Sequence, residues 1–240
     1  MQLNIFMPKF FWITPNIIRF SFEEEISYEN LSLLQSFESM LNIHFRKHLI
    51  EIVPGYHTVT VYLKTKHQFN VTEVLNYWRK HSIQKQNRSS KIITIPVCYD
   101  EEFAIDMERI IEYTGLSYEE IVNIHSSKTY EVFLMGFLPG FPYLGILDAR
   151  LRVPRLPKAR KNVEAGSVGI GGIQTGIYSL SSPGGWNILG RTPVQLFNFQ
   201  YKPYFFFSPQ VKVRIDRISK TEFKKIEERG LELWKDYLKL

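Results

Sequence analysis

Residues 136–193 constrain this chain more than any other stretch of its sequence. They hold 11 of the 14 glycines and half of the 12 prolines. Glycine permits positive φ and close backbone approach, whereas proline fixes φ and removes a backbone donor. Such a density predicts a surface of tightly specified turns, kept ordered by the apolar residues between them. The turns serve either the shape of a β-barrel or a binding surface, and residue chemistry alone favours neither.

Composition bounds the number of domains and the cellular setting. A chain of 240 residues with 44% hydrophobic and 15% aromatic residues is long for one domain and can fill two cores. No run of about 18 apolar residues occurs, so we expect no transmembrane helix. We also expect no signal peptide. The single cysteine, Cys98, cannot form an internal disulfide and is predicted to be buried, so a cytoplasmic location is the default expectation.

The positive charge of the chain does not predict a nucleic-acid partner. The net charge is +6, which fits either nucleic acid or an acidic partner. Basic residues are scattered except in residues 150–161, RLRVPRLPKARK, and no nucleic-acid-binding motif accompanies them. Basic patches without a docking module are usually solvated surfaces or anion sites. We therefore expect neither nucleic acid nor a membrane as a partner.

Residues 1–90 are predicted to form a ferredoxin-like α+β domain. Helical spacing of apolar residues predicts a helix over residues 28–46, and Asn70 with Glu73 resembles a capping box that opens a second helix. β-branched and aromatic runs predict strands at residues 9–13, 17–22, 49–53, 58–63 and 91–97. From residue 17 onward the order is β-α-β-β-α-β, with one extra N-terminal strand. The strand over residues 91–97 ends this domain and begins the next.

Residues 91–240 are predicted to form a β-barrel domain. Many short strands separated by Gly/Pro turns are typical of a closed barrel. They are predicted at residues 129–135, 167–170, 176–180, 187–189, 194–199, 204–207 and 211–215.

Helix signals precede and follow these strands. A helix over residues 105–113 is predicted to end at Gly115, and Ser117 with Glu120 is predicted to cap the next helix. A C-terminal helix is predicted to begin at a capping box and to pack back on the barrel. Its capping pair is Ser219 and Glu222, and its packing residues are Phe223, Ile226 and Leu233.

The sequence lacks the motifs of the common nucleotide-binding and hydrolase sites. The run GSVGIGG lacks the lysine and the helix that a phosphate loop requires, and no clean GxGxxG occurs. No GxSxG turn is present either. The histidines of the first domain have no spacing that brings several ligands together, so we expect no metal site.

Several ordered sequence blocks resemble one known family. GFLPGFPYLG is followed by PR, GSVGI, QTGIY and SPGGWNILGRTP, and it is preceded by IVPGYHTVTVYL and IPVCYDEEF. In this order they resemble the 5-oxoprolinase PxpB family, which includes the kinase inhibitor KipI and the allophanate hydrolase subunit 1 proteins (carboxyltransferase domain, subdomains C and D). The resemblance covers most of the chain. It implies a cyclophilin-like β-barrel in the second domain.

The resemblance also implies a component of an ATP-dependent enzyme. In that family, PxpB works with a PxpC-like and a PxpA-like subunit to open 5-oxo-L-proline to L-glutamate. ATP is the co-substrate of the complex and leaves as ADP and phosphate. No metal or prosthetic group is implied for this chain, and we expect it to be inactive alone.

Two other functions remain open at this level. KipI-like relatives inhibit a sensor histidine kinase, so the barrel could be a binding module that docks on a helical partner. Related domains also resemble components of urea carboxylase and of allophanate metabolism.

Residue chemistry and the resemblance together nominate a site. Arg155 and Arg160 suit bidentate recognition of a carboxylate or phosphate. Gln174 and the turn at Gly184 and Gly185 suit an amide or oxyanion. His125 is a candidate proton relay, and a satisfied histidine in the barrel is the alternative interpretation. The catalytic candidates are His125, Arg155 and Gln174, and the substrate-binding candidates are Tyr130, Phe141, Tyr143, Arg160, Ser167, Ser182, Gly184, Gly185 and Trp186.

Overall fold

The computed structural model describes residues 6–65, 69–81, 91–200, 202, 204–207 and 211–230. It divides into two compact units, Met1–Ser89 and Ser90–Leu240. None of the helices within these described ranges is long and apolar enough to cross a membrane.

The first unit is a four-stranded antiparallel sheet with two helices. Its strands are β1 (Lys9–Thr14), β2 (Ile17–Ser21), β3 (Leu49–Pro54) and β4 (Thr58–Leu63), and its helices are α1 (Tyr28–His44) and α2 (Val71–His81), with a short 3-10 turn at Arg46–His48. The sheet order is β1-β2-β4-β3.

Apolar periodicity explains how α1 seats on this sheet. Leu34, Phe37 and Leu41 recur at helical spacing and are buried against strand residues such as Phe20. The Phe37 ring lies 4.9 Å from the Phe20 ring and 5.2 Å from the ring of Trp78 on α2. These tilted and edge-to-face contacts form an aromatic centre for the first unit.

The strand β5 (Ile92–Cys98) belongs to the second unit, and its predicted role as the last strand of the ferredoxin-like sheet is wrong. It pairs in parallel with β13 (Lys212–Ile218) over its whole length and touches β12 (Asn187–Arg191) antiparallel at Cys98. The first sheet is completed instead by the N-terminal strand β1. A run of β-branched residues such as IITIPVC identifies a strand but not its neighbour, so the sequence did not distinguish the two sheets.

The second unit is a closed barrel, and the predicted α+β fold class is confirmed. Its remaining strands are β6 (Thr129–Met135), β7 (Pro142–Gly145), β8 (Arg160–Val163), β9 (Ser167–Gly171), β10 (Gln174–Ile177) and β11 (Ser182–Gly184). The strand order around the barrel is β10-β7-β6-β13-β5-β12-β9, with a separate two-stranded sheet of β11 and β8. The helices of this unit are α3 (Met107–Thr114), α4 (Tyr118–Ser126) and α5 (Lys220–Arg229), with a 3-10 turn at Ala149–Leu151.

The predicted helix ends of this unit are confirmed. Gly115 ends α3 with φ of 70°, the left-handed conformation that favours glycine. Ser117 with Glu120 and Ser219 with Glu222 both form complete capping boxes.

The C-terminal helix packs on the barrel as predicted for two of its three named residues. Phe223 of α5 is buried and Ile226 packs against the barrel core. Leu233 lies outside the described residues.

Short and polar strands account for the differences from the predicted barrel. The strand predicted at residues 176–180 is found at Gln174–Ile177, and the segments 194–199 and 204–207 meet in one bridge, between Phe197 and Phe205. The sequence missed β7, β8 and β11, which have four, four and three residues. Runs this short carry too little alternation to be recognised as strands.

Candidate functional site

The outer side of three barrel strands is lined with glycine. Tyr143 pairs with Gly176, Gly176 pairs with Gly169, and Gln174 lies between Gly145 and Gly171. The neighbouring row of Leu144, Thr175 and Ile170 is buried towards the core. Because successive side chains alternate across a strand, Tyr143, Gln174 and these glycines point outward.

Large side chains pack directly against the outward glycines. A Cβ at Gly176 would stand 2.8 Å from the Phe141 ring, and one at Gly169 would stand 3.1 Å from Cβ of Trp186. A Cβ at Gly171 would stand 3.1 Å from Cγ of Arg155 and 3.3 Å from Cδ2 of Trp186. The high glycine content therefore serves contact as well as turns, because it lets this layer approach the barrel wall.

The layer is an aromatic cluster. The Phe141 ring lies 4.8 Å from Tyr143, 5.3 Å from Tyr178 and 5.7 Å from Trp186. All three contacts are edge-to-face, the arrangement that the ring quadrupoles favour. We call the outward layer formed by these residues with Arg155 and Gln174 the Trp186 face; its members are Phe141, Tyr143, Arg155, Gln174, Tyr178 and Trp186. Arg155 is exposed and Tyr143 is half-buried, whereas the other four side chains are at most 5% exposed.

Tyr178 holds the turn that carries Trp186. Its hydroxyl is hydrogen-bonded to the backbone of Trp186, and burial raises the pKa of this phenol despite that bond. A Cβ at Gly184 would stand 2.2 Å from the Tyr178 hydroxyl. Gly184 thus has a steric role, since any side chain there would break the contact that fixes the turn.

Arg155 is exposed and lies over Trp186. Its guanidinium carbon is 5.5 Å from the centroid of the Trp186 ring, a cation–π contact. The two carboxylates nearest in sequence have other partners, since Asp148 binds Arg150 at 2.9 Å and Glu164 binds Arg191. No carboxylate of the described residues pairs with Arg155, which leaves its donors directed to solvent.

Arg160 is held by the protein. Its Nη2 donates to the carboxylate of Asp106, which is only 6% exposed. Its Nη1 is buried and has no hydrogen-bond partner within the described part of the chain. Arg160 also contributes to the field at Tyr178. It therefore lies beside the Trp186 face. The bond to Asp106 restricts the guanidinium of Arg160, whereas the guanidinium of Arg155 has no such bond among the described residues.

His125 lies in the barrel core and not on the Trp186 face. It is fully buried; its Nδ1 is 2.7 Å from the Tyr99 hydroxyl and its Nε2 is 2.9 Å from Oγ1 of Thr175. Thr175 donates its own proton to the carbonyl of Gly169, so it accepts one from Nε2 of His125. Burial lowers the pKa of His125 to about 3, so the ring is neutral at physiological pH. This geometry favours the alternative interpretation, a satisfied core histidine.

Tyr130 lies beside His125 in the core. Its side chain is fully buried, and its hydroxyl donates to the carbonyl of His125 at 2.8 Å. The structure therefore does not bring Tyr130 to the Trp186 face, although the sequence nominated it for substrate binding.

The remaining nominated residues lie near the rim of the face or within the protein. Ser167 begins β9 opposite Arg191 and is 7% exposed. The Ser182 hydroxyl donates to the carbonyl of Pro183 at 3.1 Å. The carbonyl of Gly185 accepts from the amide of Leu156 at 2.7 Å, which ties the turn before Trp186 to the segment of Arg155.

Three residues close to the face were missed by the sequence. Tyr178, Asp106 and Asn187 are buried and contact Trp186, Arg160 and the segment before Arg155, respectively. Their partners are 8 to 54 positions away in the sequence. The only signal in the sequence was the glycine pair before Trp186, which indicates that another group packs closely against that turn. Within the described ranges, no group of three or more His, Cys, Asp or Glu residues could hold a metal ion.

Comparison with known proteins gives the following similarities. Residues 8–207 match the family described as carboxyltransferase domain, subdomain C and D. The chain is 42% identical over 140 residues to the 5-oxoprolinase B subunit of Bacillus subtilis, covering 58% of this chain and 58% of that relative. It is 41% identical over 152 residues to the 5-oxoprolinase B subunit of Escherichia coli O157:H7, covering 62% of this chain and 69% of the relative.

Solved structures share the fold. The crystal structure of TTHA0988 superposes with a TM-score of 0.73 at 29% identity, covering 85% of this chain and 40% of that one. Urea carboxylase of Kluyveromyces lactis gives a TM-score of 0.71 over 90% of this chain and 22% of that chain, and at 17% identity this likeness concerns the fold alone. This similarity of fold supports the predicted cyclophilin-like barrel. Since the family match spans most of the sequence, the chain belongs to the carboxyltransferase domain family, subdomains C and D, in which the B subunits of 5-oxoprolinases are its relatives.

Proposed function

We propose that this chain is the PxpB-type component of an ATP-dependent 5-oxoprolinase, and that the Trp186 face binds the lactam. The observation that carries the proposal is the exposed guanidinium of Arg155, which lies over Trp186 without a protein carboxylate in the described residues. The similarity to the B subunits of 5-oxoprolinases supports the choice of substrate.

Each part of 5-oxoproline has a complementary group on this face. The planar guanidinium of Arg155 would bind the carboxylate through two parallel hydrogen bonds. Trp186 and the half-buried Tyr143 would contact the apolar edge of the ring. The outward position of Gln174 on β10 suits an amide that recognises the lactam N–H and carbonyl.

The reaction needs activation that this face does not supply. An unstrained lactam resists water; transfer of the ATP γ-phosphoryl group to the carbonyl oxygen would give an intermediate that water can attack at carbon. The C–N bond then breaks and the nitrogen takes a proton, which leaves the acyl phosphate of glutamate. A second water hydrolyses this acyl phosphate, so the overall products are L-glutamate, ADP and phosphate. None of the six side chains of the Trp186 face is a carboxylate or histidine, and the nucleotide motifs are missing from the sequence. We therefore assign the ATP site and the base to other subunits.

A second surface suits the partner subunit. Four exposed aromatic side chains lie close to the GFLPGFPYLG turn: Phe137, Phe199, Tyr204 and Phe205. Two of them, Phe137 and Phe205, line a groove of about 540 Å³ whose walls also include Met135, Leu138 and Phe207. We call these four residues the Phe137 patch. Exposed apolar patches of this kind mark interaction sites, and we assign this one to a PxpC-like subunit, with a PxpA-like subunit completing the complex.

Phe137 offers a specific test of that docking surface. It is 60% exposed and has φ of 68°, a conformation that asparagine adopts more easily than phenylalanine. Phe137→Asn should therefore keep the fold and weaken co-purification with the PxpC-like subunit. Tyr113→Asn, which replaces another exposed aromatic side chain away from the patch, serves as the control. Equal binding by both variants would remove the Phe137 patch from the interface.

Reconstitution tests the function as a whole. The chain is co-expressed with its PxpC-like subunit, and glutamate formation from 5-oxoproline and ATP is measured with and without the PxpA-like subunit. We expect turnover from the assembled complex and none from the chain alone. Lack of turnover by the complete complex would overturn the proposed function, and robust turnover by the isolated chain would overturn the division of labour.

The Phe137 patch also supports one other candidate, a binding module for a helical histidine-kinase domain. An apolar groove next to exposed aromatics can receive the apolar side of a helix. The two candidates separate on Arg155: its substitution should lower lactam turnover but leave kinase binding unchanged. Kinase inhibition in the absence of any 5-oxoprolinase activity would favour the binding module.

A further inference from the structure

Asn187 is a buried amide directly after Trp186. It is fully buried at the start of β12. Its Oδ1 accepts from Nε of Arg109 at 2.9 Å, and its Nδ2 donates to the carbonyl of Pro154 at 3.0 Å and to that of Ile170 at 3.2 Å. Both amide hydrogens and the oxygen therefore have protein partners, as a buried amide requires.

The two carbonyls that Asn187 holds lie directly before parts of the Trp186 face. Pro154 immediately precedes Arg155, and Ile170 immediately precedes Gly171, on which the stem of Arg155 rests. One side chain thus connects the main chain of the arginine segment to the strand below it. The same residue is covalently joined to Trp186, the ring beneath the guanidinium.

Helix α3 anchors this connection from the other side. Arg109 on α3 supplies the donor for Asn187. Asp106 accepts from the amide of Ile188 at 2.7 Å through Oδ2 and donates its own amide to the carbonyl of Ile188 at 3.0 Å. An aspartate at this N-cap position normally caps its own helix, but the Asp106 side chain makes no such bond and binds β12 and Arg160 instead.

We propose that Asn187, held by Arg109, is a positioning residue for ligand binding at the Trp186 face. It does not touch the ligand; it fixes the main chain at Pro154 and at Trp186, and thereby sets the guanidinium of Arg155 over the ring at one spacing. Preorganised donors bind more tightly than mobile ones because less freedom is lost on binding. The inference rests on the proposed function for its ligand, 5-oxoproline.

Two variants weaken the connection at different points. Asn187→Asp keeps an acceptor for Arg109 but has no N–H for the carbonyls of Pro154 and Ile170. Arg109→Gln removes the guanidinium from a partly exposed side chain and leaves Asn187 in place. Arg109→Lys is the conservative variant that retains a donor, and Arg150→Gln, which breaks the exposed pair with Asp148, is the matched arginine control.

Kinetics of the reconstituted complex give the first measurement. Loss of one such hydrogen bond should raise KM for 5-oxoproline about three- to tenfold in Asn187→Asp and Arg109→Gln, with kcat changed by less than about twofold. Arg109→Lys should recover part of the loss, and Arg150→Gln should match the wild type. An unchanged KM, or a fall in kcat with no change in KM, would overturn the positioning role.

Hydrogen exchange of the isolated chain gives a second measurement that needs no ligand. Peptides that cover residues 153–157 and 184–190 should exchange faster in Asn187→Asp and Arg109→Gln than in the wild type or in Arg150→Gln, while peptides of the first unit stay unchanged. If the wild-type complex does not turn over 5-oxoproline, the proposed function fails and exchange alone decides the positioning role. If Asn187→Asp does not fold, Arg109→Gln decides it, and unchanged exchange in that variant would overturn it.

Discussion

The inner and outer faces of the same barrel wall differ in what their polar side chains contact. On the inner face, His125 bonds both Tyr99 and Thr175 in the buried core, so each of its two ring nitrogens has a partner. On the outer face, Arg155 stands exposed over Trp186 with no carboxylate among the described residues. A satisfied buried network stabilises a unique core, whereas an exposed donor set is available to a ligand.

The strongest test of this difference removes the centre of the inner network. His125→Leu would remove the Nδ1 acceptor and leave the buried hydroxyl of Tyr99 without its partner. We expect a loss of about 2–4 kcal/mol in the free energy of unfolding, measured by urea denaturation. Activity per folded complex should stay near that of the wild type. Normal stability with lost turnover would instead support the proton relay that the sequence nominated.

The matching test on the outer face is Arg155→Lys. Lysine keeps the charge but cannot copy the two parallel bonds of a guanidinium. Losing a charge-assisted contact of this kind costs roughly 1.5–3 kcal/mol, so kcat/KM of the reconstituted complex should fall about ten- to a hundredfold. The melting temperature should not change, because the side chain is exposed. Unchanged kinetics would end the ligand role, and a large fall in melting temperature would make Arg155 structural.

The inner network also predicts a pH dependence of stability. The folded pKa of His125 is about 3, below the value of 6.5 for an exposed histidine, so the unfolded chain binds a proton that the folded chain excludes. This exclusion of a proton contributes to the free energy of unfolding. The contribution of His125 is complete above pH 6.5 and is lost as the pH falls from 6.5 towards 3.

The His125→Leu variant isolates that contribution. The slope is about 1.4 kcal/mol per pH unit, which gives about 2 kcal/mol between pH 6.5 and pH 5. The free energies of unfolding of wild type and His125→Leu should therefore approach each other by that amount over this interval. Parallel pH profiles for the two proteins would show that His125 is not excluded from protonation in the fold.

The sequence predicted those features that depend on neighbouring residues. Capping pairs such as Ser117 with Glu120 act over three positions, and helical periodicity identified α1, so both were correct. The strand β5 was recognised but was predicted to belong to both sheets, and only its place in the barrel is correct, because its partner β13 lies more than 110 positions away. Pairing over such distances is decided by the packing of the whole barrel and not by local preference.

The candidate site was also predicted only in part. Arg155, Phe141 and Trp186 were nominated from residue type, and the structure brings them together. The placement of His125 in the core could not be predicted from its neighbours, since a histidine in the last turn of an amphipathic helix suits a core or a cleft equally well. Asn187 was missed for the same reason: its three partners come from α3, β9 and the segment before Arg155.

The smallest expected effects come from two adjacent glycines, Gly171 and Gly172, which test the contact between the barrel wall and the Trp186 face. Gly171 has no positive φ, and the atoms nearest to a methyl group there belong to side chains, at 3.1 Å for Cγ of Arg155 and 3.3 Å for Cδ2 of Trp186. Gly172 has φ of 61°, and a methyl group there meets nothing within 4 Å. Gly171→Ala should therefore displace Arg155 and raise KM about threefold with little change in melting temperature. Gly172→Ala should cost about 1 kcal/mol of stability through backbone strain and leave KM unchanged. Steady-state kinetics beside thermal melts of both variants measures the two effects, and a KM that responds equally to both would mean that the spacing over Gly171 does not control ligand binding.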